Sequence, residues 1–217
     1  MSVVTISAAY GTGGRLIGAE VARRLGLRFV DEVITAALAE HFVRPVREVA
    51  AHETQEPSFW GHFAPLAGLW CAPGYSAGPL DDDQAYRTRA EQMIREFAAC
   101  GAVVIGRGGA LVLADRGDAL HVRLDGPAEA RIAQAVELGG LDERTARRRQ
   151  KHVDRAREHY VRHYYHADIT DPHYFDLVID ATSLPLATCV EVIIAGARNV
   201  DELERIGVCA HRLRRTG

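Results

Sequence analysis

The sequence predicts an α/β fold, with a parallel sheet covered by helices on both faces. Three observations lead there. Short apolar, β-branched segments alternate along the chain with stretches of helical periodicity. The first of these segments runs into a glycine-rich turn and then a helix. The 217 residues are enough for one sizeable core and short for two independent ones.

Val3-Val4-Thr5-Ile6-Ser7 has the continuous apolar character of a buried parallel strand. After the turn Gly11-Thr12-Gly13-Gly14, residues Leu16, Ile17, Ala19, Val21, Ala22 and Leu25 recur at helical spacing, and Gly26 is a natural stop. Leu27-Arg28-Phe29-Val30 reads as a second strand with Asp31 at its end. Val33 to Phe42 and Val46 to His52 read as short helices. Residues 57–80 are a long irregular excursion, rich in Pro and Gly and poor in charge, of the kind tied to a binding loop or an interface. Asp81-Asp82-Asp83 then supplies the acidic start that a helix dipole favours, for a helix through Ala99. Ala102 to Ile105 is a third strand, followed by Gly106-Arg107-Gly108-Gly109 and a short helix. His121 to Leu124 is a fourth, and Pro127 opens a helix at its preferred first position. Residues 142–165 are a charged helix carrying Arg147-Arg148-Arg149, Asp176 to Asp180 is a fifth strand, and Leu184 to Ala197 a closing helix. The last ten or so residues read as a loosely held tail.

The formal net charge of −3 argues against a general nucleic-acid binder, which would be basic. Cys71, Cys100, Cys189 and Cys209 show no CxxC pairing, and Cys100 and Cys189 lie in apolar stretches, where a free thiol acts as a small hydrophobe. Four reduced cysteines, with neither an export signal nor an apolar run long enough to span a membrane, lead us to expect a cytoplasmic protein. Of the 26 Lys and Arg residues, Lys151 alone is lysine.

A strand, a glycine-rich turn and a helix together make a site for phosphate. Glycines turn backbone N–H groups inward, and the helix N-terminus adds positive potential. A full GxxxxGK[ST] motif would add a lysine for the β/γ-phosphates and a hydroxyl for magnesium. In Ala8-Ala9-Tyr10-Gly11-Thr12-Gly13-Gly14-Arg15 the first glycine is Ala8, the lysine position is Gly14 and the hydroxyl position is Arg15. Arg15 is placed to supply the missing charge one residue later. Two other readings stay open at this point: a plain tight strand–helix turn, and an NAD(P)-binding turn with Asp31 on a ribose. Against the second, GxGxxG needs a small residue where Leu16 stands.

Taken together, the segments ISAAYGTGGRLIG, LRFVDEVI, VVIGRGGALVL, HVRLDGPAEARI, KHVDRAREHY and ITDPHYFDLVIDATSL resemble, in order, the cytidylate kinase-like family. The resemblance spans roughly residues 3–197. It implies a P-loop NTPase-type three-layer sandwich with a five-stranded parallel sheet. It also implies a single domain over residues 1–200, an acceptor-binding arm at 32–100, a helical lid at 139–165 and a tail at 201–217. The implied activity is transfer of a γ-phosphoryl group from ATP, with Mg²⁺, to CMP or a related small acceptor. Such chemistry needs charge-neutralising groups around three phosphates and little covalent participation.

The resemblance puts the donor phosphates on Gly11, Thr12, Gly13, Gly14 and Arg15, with lid arginines Arg147 and Arg148 over the transferring group. It puts the acceptor on Arg107, Asp154, Arg157 and Asp31, with Arg15, Arg107 and Arg148 as the catalytic set. A guanidinium suits these tasks because its planar fork binds two phosphate oxygens at once. Departures from the family pattern fall at Ile105 and Gly108, where acids are expected, and at Ala37, where an arginine is expected. They motivate an alternative reading, a nucleotide-binding or regulatory protein that keeps the fold without catalysis.

His159, His163 and His166 share a helical face at a spacing that can bind zinc, but in a histidine-rich chain they read as a polar face, and no metal site is assigned. Phe59, Trp60, Phe63 and Trp70 fall in the excursion. An aromatic patch of that size points to an acceptor pocket or a homodimer contact.

Overall fold

The computed structural model describes residues 2–30 and 83–205. The expectations for Asp31, Ala37, the two short helices after it, the excursion at 57–80, Cys71, Cys209 and the terminal tail lie outside these residues. The chain divides into two compact units, one comprising Met1–Glu32 with Arg87–Gly217 and the other Val33–Tyr86. The sheet belongs to the first.

Five parallel strands form one sheet in the order β2-β3-β1-β4-β5: β1 Val3–Ala8, β2 Arg28–Val30, β3 Ala102–Ile105, β4 Ala119–Asp125 and β5 Leu177–Asp180. The helices between them are α1 Gly14–Leu25, α2 Asp83–Ala99, the single turn α3 Gly109–Val112, α4 Ala128–Gly139, α5 Glu143–Tyr165 and α6 Leu186–Arg205. A short 3₁₀ turn covers Pro172–Tyr174.

The strands are apolar on both sides because both faces are covered, as a parallel sheet requires. Side chains alternate along β1. Val4 and Ile6 enter one core with Ile17, Val21, Val190, Ile193 and Ile194 of α1 and α6. Val3 enters the opposite one with Ile94 and Ala98 of α2, Val112 of α3 and Leu113 just after it. This is the three-layer sandwich. A third, small cluster joins α4 to α5 through Ile132, Ala135 and Ala146, with Tyr10 of the glycine-rich turn packed against it.

Helix ends follow their signals. Gly26 ends α1 in the left-handed conformation, its N–H donating to Ala22 and Arg23 carbonyls. The Asp142 carboxylate caps α5 by accepting the Thr145 amide.

Four expectations change. Pro127 is not the first helical residue of α4 but its N-cap, with ψ 136°, and Ala128 begins the helix. β4 is longer than His121–Leu124, because its register with β1 extends from Val3↔Ala119 to Ala8↔Leu124. The closing helix runs past Ala197 to Arg205. Cys100 is exposed, in the turn where Gly101 takes φ +80° between α2 and β3, whereas Cys189 is a core residue.

The strand order also excludes a dinucleotide-binding Rossmann turn. That fold pairs its second strand directly with the first, so that an acid ending the second strand meets the ribose. Here β3 lies between β1 and β2, and the end of β2 is one strand removed from the turn.

Candidate active site

The turn after β1 is built on glycines whose backbone angles and close neighbours disfavour a side chain. Gly11 and Gly13 adopt φ +85° and +68° on either side of the fully buried Thr12. The Thr12 hydroxyl donates to the Ala9 carbonyl at 2.8 Å, closing the turn from inside. A Cβ on Gly11 would lie 2.1 Å from the Arg131 carbonyl oxygen, and one on Gly14 would lie 2.4 Å from the Ala8 Cβ.

Gly13 then begins α1 without any side-chain cap, and the first helical bond runs from the Ile17 amide to the Gly13 carbonyl. The amides of Gly14, Arg15 and Leu16 therefore have no acceptor within the helix. Together with the helix dipole, such amides give a helix N-terminus of the kind that can take an anion. Arg15 stands exposed in this first turn.

A buried network holds the start of the turn from outside. Arg131 of α4, 9% exposed in its side chain, faces Asp154 of α5, 17% exposed, across 2.7 Å. Asp154 accepts the Tyr10 amide at 2.8 Å and the Gln150 side-chain amide at 2.9 Å. Arg131 donates to the Tyr10 carbonyl and to the Gly126 carbonyl, each at 2.9 Å. Arg157, one turn further along α5, donates to the Ala8 carbonyl. Burial by itself raises the pKa of Asp154, but the hydrogen bonds from Tyr10, Arg131 and Gln150 outweigh it and leave the carboxyl below its usual range.

The network continues to β4, where Asp125 lies 3.7 Å from Arg131 and pairs with the buried Arg123. Arg123 in turn donates to the Ile169 carbonyl and lies over the Phe175 ring.

Asp154 and Arg157, expected on the acceptor, thus meet the backbone of the turn, at Tyr10 and Ala8. Arg107 follows β3, the neighbour of β1, in a run of three left-handed residues: Gly106 at φ +73°, Arg107 at +51° and Gly108 at +67°. For a residue with a side chain that conformation costs on the order of 1–2 kcal/mol. A Cβ on Gly108 would meet the Tyr165 ring at 2.5 Å, so the ring fills the space where an acid would project. The Arg87 guanidinium lies 5.2 Å from the centre of that ring and pairs with Glu91.

Arg147 pairs with Glu129 of α4 at 2.7 Å and with Glu143 at 2.8 Å, and Arg148 is exposed on α5. His159 and His163 stack at 5.8 Å. Among the described residues no group of His, Cys, Asp or Glu is arranged to hold a metal. No described helix is long and apolar enough to cross a membrane.

Sequence reasoning passed over Arg131. Its signal is a charge within a buried stripe, beside Ile132 and one turn before Ala135.

The model of the cytidylate kinase-like family matches residues 3–183. No curated protein matches the chain. Among solved structures, an uncharacterized protein from Eubacterium ventriosum superposes with a TM-score of 0.63 at 19% identity, covering 91% of this chain and 99% of that one. A gluconokinase from Sinorhizobium meliloti gives 0.47 at 14% identity, covering 94% and 95%. A shikimate kinase from Bacteroides thetaiotaomicron gives 0.44 at 12%, covering 93% and 99%. At such identities the first of these speaks for the fold alone.

Proposed function

Because the chain belongs to the cytidylate kinase-like family, we propose that it is an ATP-dependent phosphotransferase whose acceptor is CMP, another nucleoside monophosphate or a related small molecule. The observation that carries this reading is the uncapped start of α1 behind two left-handed glycines, a helix N-terminus of the kind that binds phosphate. Gly11, Thr12, Gly13, Gly14 and Arg15 form the donor site. Arg107 and Arg157 serve the acceptor phosphate with Asp31, and Asp154 acts beside Arg157. Lid arginines Arg147 and Arg148 neutralise charge that develops on the transferring group; for Arg147 this means exchanging its carboxylate partners for phosphate.

Magnesium enters as part of the MgATP substrate. Thr12 donates its hydroxyl hydrogen to Ala9 and is fully buried in the turn. Transfer is in line, with catalysis by positioning and electrostatics.

A second reading is favoured by one observation: Ile105 and Gly108 carry no acid, and Tyr165 packs on Gly108. A protein of this fold without turnover would bind nucleotide and release nothing.

Thermal-shift screening against ATP, CMP, other monophosphates and NAD, followed by an assay of ADP release, separates the readings. Stabilisation by ATP together with acceptor-dependent ADP release supports the phosphotransferase. Stabilisation by ATP without release for any acceptor supports the second reading. Stabilisation by NAD alone contradicts both.

A further inference from the structure

Past Ala9, whose amide still bonds to Leu124 of β4 at 2.9 Å, the chain leaves the sheet and its backbone groups need new partners. At Tyr10 both are supplied by one ion pair. The amide goes to Asp154 and the carbonyl to Arg131. The grip then passes to the next residue through the main chain, because the Arg131 carbonyl lies under Gly11, where a Cβ would stand 2.1 Å from it. The Tyr10 side chain packs against Ile132, Ala135 and Ala146 of the same two helices. Residues 10 and 11 are thus fixed to α4 and α5 immediately before the chain turns into the start of α1, the phosphate cradle of the donor reading. Arg131 is itself anchored to the end of β4 through the Gly126 carbonyl, so the clamp refers the turn to the sheet.

We propose that Arg131 and Asp154 are positioning residues: as a pair they hold Tyr10 and Gly11 in the one backbone path that opens the cradle to phosphate, and donor affinity depends on them although neither touches the donor. The inference rests on the donor half of the phosphotransferase reading and refines the role of Asp154 within it. Preorganisation is the physical reason for the effect. Amides aligned before the ligand arrives cost nothing to align when it binds, whereas a loosened turn must be ordered at the expense of affinity.

The test is MgATP and inorganic tripolyphosphate affinity by calorimetry, at a temperature where circular dichroism shows every variant folded. Tripolyphosphate isolates the cradle from any contact with the base. The double variant Arg131→Met with Asp154→Leu removes both charges together, so that neither is left buried alone, and leaves the Tyr10 amide and carbonyl without partners at a cost in stability. It should bind both probes at least tenfold more weakly than the wild type.

Arg131→Lys keeps the charge but cannot reach the Tyr10 carbonyl, the Gly126 carbonyl and Asp154 together, since an ammonium is a point donor rather than a fork. It should bind both probes three- to tenfold more weakly, and it decides the matter should the double variant fail to fold. Wild-type affinity within twofold in the folded variants overturns the proposal and leaves the donor reading standing. A weakening confined to MgATP, with tripolyphosphate unaffected, overturns it as well. A wild type that binds neither probe removes the donor reading, and the clamp's role with it.

Discussion

Gly14 has its nearest obstacle 2.4 Å away, the Ala8 Cβ at the end of β1, with Ile105 of β3 behind it at 3.6 Å. A methyl group there must push the turn off the sheet. We expect Gly14→Ala to cost about 1–3 kcal/mol in stability, the usual range for overpacking, and to weaken ATP binding; denaturant unfolding and calorimetry check the two effects. Arg107 is a different kind of residue, held left-handed between two glycines at a cost in strain. Arg107→Ala should leave ATP binding unaltered and lower acceptor-dependent turnover about 10²–10³-fold, as loss of one preorganised donor does. Unaltered turnover would remove Arg107 from the acceptor site. The glycines were legible in the sequence because each answers a local demand for a missing side chain. The clamp was not: Asp154 finds the Tyr10 amide 144 residues away, a pairing that helical spacing within α5 does not encode. The i,i+3 pattern identified Asp154 and Arg157 as neighbours and left their common target, the backbone of the turn, to the tertiary fold.

At the scale of elements, α5 shows what sequence signals specify and where they stop. The charged run at 142–165 marked it, and the Asp142 carboxylate closes its start by accepting the Thr145 amide at 2.9 Å. Its inward residues Ala146, Val161 and Tyr164 are few, so the helix depends on its ends and on the clamp as much as on apolar burial. Asp142→Ala should therefore lower the thermal midpoint by a few degrees while leaving MgATP affinity unchanged. Calorimetry that found weakened binding would tie the helix start to the cradle. The strands were legible from β-branched runs, and their limits were not, because pairing register rather than composition extends β4 from Ala119 to Asp125. The limit at Gly26 follows a left-handed glycine that the sequence displays, and Gly140 ends α4 in the same way.

For the whole molecule, the order of strands carried more information than any motif. The alternation of strands and helices predicted a parallel sheet, but the insertion of β3 between β1 and β2, which separates a phosphate-binding fold from a dinucleotide-binding one, appears only in three dimensions. Tyr165 links the molecule's stability to pH on the alkaline side. Burial pushes its phenol up to about 12 from the ordinary 10.0. A raised pKa in the folded state means that its contribution is complete below pH 10 and is lost as pH rises through 12. Tyr165→Phe should flatten the fall in stability across that window, as read by denaturant midpoints measured at successive pH values. The claim beneath all of these is that the amides opening α1 take a polyphosphate. Titrating ¹⁵N-labelled protein with MgATP tests it directly: the amide resonances of Gly11, Gly13, Gly14, Arg15 and Leu16 should move furthest and saturate together, whereas saturable shifts elsewhere with these five unmoved, or no shift at millimolar ligand, would contradict it.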